Sequence, residues 1–226
     1  PRSVSSAASD VYKRQHRRGG NAMSITLLLL RHGQIRANRQ GRWHGSTDSA
    51  LTLKGRIQAV LTSSALRKNR EIDAVYTSPL QRCRHTSRLA TVHLSQQPKI
   101  IDGLAEMSIG DWEGKKYRQL QIDHQLNERC TQDLQWRPPN GESLADVALR
   151  MRHSVEQIVR CHSDGSTVLV VSHGAAMAIA LATFLDDDPS RWGNYHFHNC
   201  GLTELTFNDK PSLGGFDDCS HLGMFG

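Results

Sequence analysis

The sequence predicts an α/β fold: a three-layer α/β/α sandwich with a mostly parallel central sheet and a capping insertion at about residues 102–140. Three observations carry this. The apolar runs ITLLLL (25–30), IDAVY (72–76) and TVLVVS (167–172) are of strand length and nearly continuous, as in strands covered on both faces. Stretches with apolar residues three or four apart separate them, which right-handed crossovers between parallel strands require. Neither an internal repeat nor a linker breaks the alternation, so the 226 residues read as one domain.

Taken in order, ITLLLL is the first strand. In TLKGRIQAVLTSSAL (52–66), Leu53, Ile57, Val60 and Leu61 recur near helical spacing, with Thr52 as the N-cap. IDAVY is the second strand. SPLQ (78–81) reads as a helix start: Ser78 caps, Pro79 takes the first helical position and Gln81 closes a capping box. KII (99–101) is a short strand. From 102 to about 140 the chain reads as irregular structure with one or two helices. Ser143 opens a further helix, boxed by Asp146 and carrying Leu144, Val147, Met151, Val155, Ile158 and Val159 on one face. TVLVVS is the next strand, AAMAIALATFL (175–185) an apolar helix, and GLTELTF (201–207) alternates like a half-buried strand. The domain is thus assigned to residues 23–208, and the Gly-rich tail 209–226 is expected to be loosely ordered.

The formal charge of +6 suggests nucleic acid until it is located. Residues 1–22 carry Arg2, Lys13, Arg14, Arg17 and Arg18 against Asp10, a net of +4, which leaves +2 for the rest. No nucleic-acid partner is expected on that basis. This leader reads as non-native or disordered, with Met23 as the start. Its SVSSAASDVYKRQ portion resembles translated sequencing adapter, and the rival reading, a mitochondrial-type presequence, lacks an apolar helical face. No apolar run approaches a membrane span, so no membrane partner is expected. Cys83, Cys130, Cys161, Cys200 and Cys219 are odd in number, scattered and without metal-ligand spacing, as for reduced thiols of a cytoplasmic protein.

Ligands of open α/β sheets bind at the carboxyl ends of the strands. Here Arg31, His32 and Gly33 follow the first strand, His173 follows TVLVVS, and Arg82 lies one turn into the helix after IDAVY. Two arginines and two histidines at one sheet edge form a basic cluster that a bound dianion would neutralise. A neutral imidazole among them is a nucleophile toward phosphorus. Glu106 is the best-placed acid, with Asp111 and Glu113 as rivals. His196 and His198 alternate as on a strand face and read as packing or surface residues rather than a metal pair. Trp43, His44 and Trp112 lie in loops near the expected site, as pocket lining or as anchors of the insertion.

RHGQIRAN (31–38), YTSPLQR (76–82), EMSIGDWEG (106–114), PNGES (139–143) and VVSHG (170–174), in that order, resemble the histidine phosphatase (phosphoglycerate mutase-like) superfamily over about residues 25–207. The resemblance implies that His32 is the phosphorylated nucleophile. It further implies that Arg31, Asn38, Arg82 and His173 hold the phosphoryl group and that Glu106 is the acid, then the base for water. It implies no metal and no cofactor, the arginines and His173 supplying the positive charge, and a small phosphorylated metabolite as partner. Gln34–Ile35 departs from the family's usual Glu or Gln followed by Thr or Ser. EMSIGDWEG stands where mutases carry an ERHYG stretch, and its style is that of the α-ribazole phosphatases and broad phosphomonoesterases. A phosphatase is therefore expected, with a phosphoglycerate mutase or a non-catalytic phospho-ligand binder as the alternatives.

Overall fold

The computed structural model describes residues 24–69 and 71–226; the leader, Met23 and Arg70 lie outside the described residues. Six strands, β1 (Ile25–Arg31), β2 (Ala74–Thr77), β3 (Lys99–Ile100), β4 (Thr167–Ser172), β5 (Leu202–Phe207) and β6 (Ser212–Leu213), form one sheet in the order β3-β2-β4-β1-β5-β6. The β1–β4, β4–β2 and β2–β3 pairs are parallel, whereas β5 and β6 join antiparallel at the β1 edge.

Side chains alternate across a strand, and the leucine run serves both faces. Ile25, Leu27 and Leu29 of β1, with Val168 and Val170 of β4, pack against α6 (Leu144–Arg160) and α7 (Gly174–Leu181). Leu28 and Leu30, with Leu169 and Val171, pack against α2 (Leu53–Asn69) and α3 (Gln81–Ala90). Burying each such side chain contributes about 1.5–3 kcal/mol, so the expected three layers follow directly. The insertion holds two 3-10 turns, Asp102–Leu104 and Gly110–Trp112, and two helices, α4 (Tyr117–His124) and α5 (Leu126–Gln132). Trp112 stacks on His124 at 4.0 Å between centroids and leans on Trp136, so it anchors this cap. A single turn, α1 (Arg36–Arg39), follows the β1 end.

Several expectations are corrected. Ser143 does cap α6 in a reciprocal box with Asp146, but Ser78 does not cap α3, which begins at Gln81. The Ser78 hydroxyl faces His173 Nε2 at 2.7 Å, and Asp48 Oδ1 receives the Gln81 amide instead. The apolar helix expected over 175–185 is α7 followed by a π-helical turn, Ala182–Asp186. The tail 209–226 is packed rather than loose. Its β6 adds to the exposed side of β5, Leu202 and Asp218 exchange backbone hydrogen bonds, and Leu222 is buried against α2. An unpaired strand edge offers backbone donors and acceptors to whatever chain follows, whatever its side-chain pattern.

Candidate active site

Strand register brings the strand ends together. Arg31 pairs with Ser172 across β1–β4, and Thr77 with Val171 across β2–β4. His32 and His173 are therefore the next pair beyond the sheet, their ring centroids 5.2 Å apart and edge-on. Gly33 follows at once and packs closely. A Cβ there would lie 2.4 Å from the Gly55 carbonyl, so the glycine is needed for close packing on the first turn of α2.

His32 is buried, and its Nδ1 lies 2.8 Å from the Gly33 carbonyl. A carbonyl only accepts, so Nδ1 carries the hydrogen and Nε2 keeps its lone pair. Burial, then the Arg82 and Arg31 charges, hold the ring well below the ordinary histidine value, hence neutral. His173 is likewise held low by burial and Arg82. Its Nδ1 accepts from Arg82 Nε at 3.2 Å, which fixes the hydrogen on Nε2, donated to Ser78. The expectation that His173 supplies positive charge is thus corrected: beside an arginine and out of water, it stays neutral.

A cavity of ≈ 390 Å³ opens over this edge, walled by Arg31, His32, Asn38 and Glu106 among others. Arg31 Nη1 donates to the Phe197 carbonyl at 2.5 Å, while its Nε is buried without a partner among the described residues. Burial lowers the Arg31 pKa against the pull of Glu106 and Asp217. Asn38 turns its carbonyl oxygen to the Ile35 amide at 3.1 Å, within a loop bonded into the wall. Glu106 Oε1 accepts from the Met107 and Ala176 amides and Oε2 from Ala175, so the carboxylate rests on the N-terminus of α7, where the helix dipole favours it. The rivals lie elsewhere. Asp111 pairs with Asn140. Burial raises the Glu113 pKa, but hydrogen bonds from Thr47 and Ser46 outweigh it and hold it low.

Arg82 does not reach the cavity wall. Fully buried, it donates to the Thr47, His44 and Gly45 carbonyls at 2.7–3.0 Å as well as to His173, bracing the 44–47 strap. Arg82 and His173 thus form a layer behind His32, while Arg31, His32, Asn38 and Glu106 face the opening. Trp43 and His44 line the cavity; Trp112 does not. Ile35, at the atypical position, is a buried wall residue. His196 and His198 share no strand: His196 lines the cavity, and His198 Nδ1 meets Asp217 Oδ2 at 2.5 Å, with Cys219 nearby. Asn199 is a residue sequence reasoning missed. Its Nδ2 donates to the His32 carbonyl at 2.9 Å and to Asn38 Oδ1 at 3.3 Å. Because β5 runs antiparallel to β1, the residues preceding it reach the β1 end, and that placement is the signal that could have found it.

Similar sequences and a similar architecture occur in known proteins. Over 169 residues the chain is 36% identical to a bifunctional protein of Mycobacterium tuberculosis (strain H37Rv), covering 74% of this chain but 46% of that one, so it spans about half of that relative's length. It is 33% identical to the adenosylcobalamin/alpha-ribazole phosphatase of Salmonella typhimurium over 165 residues, 71% of this chain and 80% of the relative. The solved phosphoserine phosphatase of Entamoeba histolytica, a mutant in complex with phosphoserine, superposes with a TM-score of 0.78 at 26% identity, covering 88% of this chain and 99% of that one. Residues 27–212 match the family model described as Histidine phosphatase superfamily (branch 1), and the chain belongs to that superfamily.

Proposed function

We propose that this protein hydrolyses small phosphomonoesters through a phosphohistidine on His32. The observation that carries the proposal is a buried imidazole whose Nδ1 lies 2.8 Å from the Gly33 carbonyl, which leaves Nε2 without a partner among the described residues, in the wall of a cavity that also holds Arg31 and Glu106. The unpartnered Nε of Arg31 would donate to a phosphate oxygen, and Asn38 would add a second donor. Nε2 attacks phosphorus in line and the P–O ester bond breaks; Glu106, a carboxylate in the free protein, first takes a proton from the monoanion of the bound ester and then delivers it to the departing oxygen. In the second half, Glu106 takes a proton from water as that water attacks phosphorus; the P–N bond breaks and inorganic phosphate leaves. Arg31 at the reacting group and Arg82 behind His32 stabilise the charge, so the reaction requires no added metal. Relatives named for alpha-ribazole and phosphoserine esters support a small phosphorylated metabolite as substrate. Five unpaired cysteines favour a cytoplasmic setting.

Substitution His32→Ala is expected to lower kcat by at least about 1,000-fold, and rapid quench should trap an acid-labile, alkali-stable phosphoryl adduct on wild-type His32. Loss of turnover in EDTA, or retention of it in His32→Ala, would overturn the mechanism. Glu106→Gln should slow esters of alkyl alcohols by roughly 100-fold or more and 4-nitrophenyl phosphate far less, since that leaving group needs no proton. Equal loss on both would remove Glu106 from the acid role. Isomerised phosphoglycerate without released phosphate would favour a mutase. Tight ester binding without turnover would favour a non-catalytic binder.

A further inference from the structure

Beyond the phosphate end, the cavity wall is built of aromatic rings. Trp43 stacks on Tyr117 with centroids 5.9 Å apart and 23° between planes, and Trp192 meets Trp43 edge-on at 6.5 Å. These three rings come from the segment just before the 44–47 strap, the insertion and the segment before β5, and Tyr195 and Phe197 join the same wall. Two of these rings are held by polar contacts. Trp43 Nε1 donates to the Met107 carbonyl at 3.1 Å and Tyr195 Oη donates to Asp186 Oδ2 at 3.0 Å. A volume of ≈ 390 Å³ falls within the ~300–1,000 Å³ usual for pockets that enclose drug-sized ligands, more room than a phosphate on a three-carbon chain requires.

The charges of the wall point the same way. Past Arg31, Arg42 is the one lysine or arginine among the described lining residues, and its Nη1 is bound to the Gly114 carbonyl at 2.5 Å. A second anionic group on the substrate would meet that single tethered cation and the Glu106 carboxylate. The wall also offers a donor to an uncharged ligand. Tyr117 Oη accepts from Asn127 Nδ2 at 2.6 Å, which leaves its own hydrogen to donate. Burial raises the Tyr117 pKa, so that hydrogen is retained at neutral pH.

We propose that the preferred substrates are phosphomonoesters whose alcohol carries an uncharged planar aromatic ring with a hydrogen-bond acceptor at its edge, the ring packed among Trp43, Tyr117 and Trp192 and the acceptor read by the Tyr117 hydroxyl. This rests on the phosphomonoesterase reading and narrows it. Aromatic rings pack favourably offset or edge-on against other rings, so a preformed cluster selects a planar partner over a flexible polar one.

Three probes test this: 4-pyridylmethyl phosphate, benzyl phosphate and phosphoserine. Wild-type kcat/KM should fall in that order, with roughly tenfold or more between benzyl phosphate and phosphoserine. Calorimetric binding to the His32→Ala protein should follow the same order without turnover. Tyr117→Phe should bring the pyridyl ester down to the level of the benzyl ester, and Tyr117→Ala should narrow the gap between aromatic and serine esters. If phosphoserine equals or exceeds benzyl phosphate in both turnover and binding, the proposal fails while the phosphatase reading stands. If no ester is hydrolysed, the phosphatase reading fails, and the order of binding to His32→Ala still decides whether the rings select the ligand.

Discussion

One side-chain amide holds two members of the proposed site in place. Asn199 Nδ2 reaches the His32 carbonyl at 2.9 Å and Asn38 Oδ1 at 3.3 Å, and Asn38 Oδ1 also receives the Ile35 amide. The Asn38 amide orientation and the His32 backbone position therefore share one donor. Removing it leaves His32 with its bond to Gly33 but frees the loop that aims it, and small displacements of a nucleophile are costly in rate. Asn199→Ala is expected to lower kcat by roughly tenfold with a smaller change in KM. Asn199→Asp should do no better, because its carboxylate would offer no donor to two oxygen acceptors. Wild-type kcat in Asn199→Asp would exclude this positioning role. The neutrality of His173 belongs to the same scale: its proximity to Arg82 follows from the strand ends, but its protonation state depends on burial that no local pattern displays.

At the level of elements, the strand β1 and the helix α2 meet through two glycines. A Cβ on Gly55 would lie 2.2 Å from the Gln34 carbonyl oxygen and 2.7 Å from its amide nitrogen, both backbone atoms that cannot swing aside. Gly55→Ala should destabilise the protein by about 1–3 kcal/mol and lower activity as the 33–38 loop is pushed from α2. A thermal melt and turnover assay together check this, and an unchanged melting temperature would show that the loop yields freely. The elements most legible in the sequence were those whose signal is local: the leucine run, the apolar stripe of α6, and the Ser143–Asp146 box, whose two partners lie within one turn. Ser78–Gln81 presents the same pattern and fails, because His173, 95 residues away, takes the hydroxyl. The tail was illegible for a related reason. Its order comes from the free edge of β5 and from α2, not from its own composition. The site itself was legible to the extent that it sits on strand ends. Asn199 and the strap carbonyls that engage Arg82 arrive from segments with no periodic signal.

For the molecule as a whole, the buried titratable groups define a pH window of stability. His32, His44, His162, His173 and His221 are all held below the ordinary histidine value, with burial the leading cause in each. A histidine neutral in the folded state and free to protonate when unfolded binds more protons in the unfolded chain below its ordinary value of about 6.5. Stability is thus complete above that value and is lost as pH falls. The two fully buried rings, His32 and His173, set the slope, up to ~1.4 kcal/mol per pH unit each. At the alkaline side burial pushes Cys130 and Cys200 up to about 12, with Cys83 also raised. Those thiols stay protonated when folded but ionise in the unfolded chain above their ordinary range near 8.5–9, so stability falls again there. The melting temperature should therefore be level from about pH 6.5 to 8.5 and decline on both sides, as scanning calorimetry under reducing conditions can measure. His32→Asn should make the acid limb shallower by one proton while leaving the alkaline limb as it is. A stability maximum near pH 5, or an acid limb of equal slope in the variant, would show that the His32 ring is not held neutral by the fold. It would also remove the feature on which the proposed nucleophile depends.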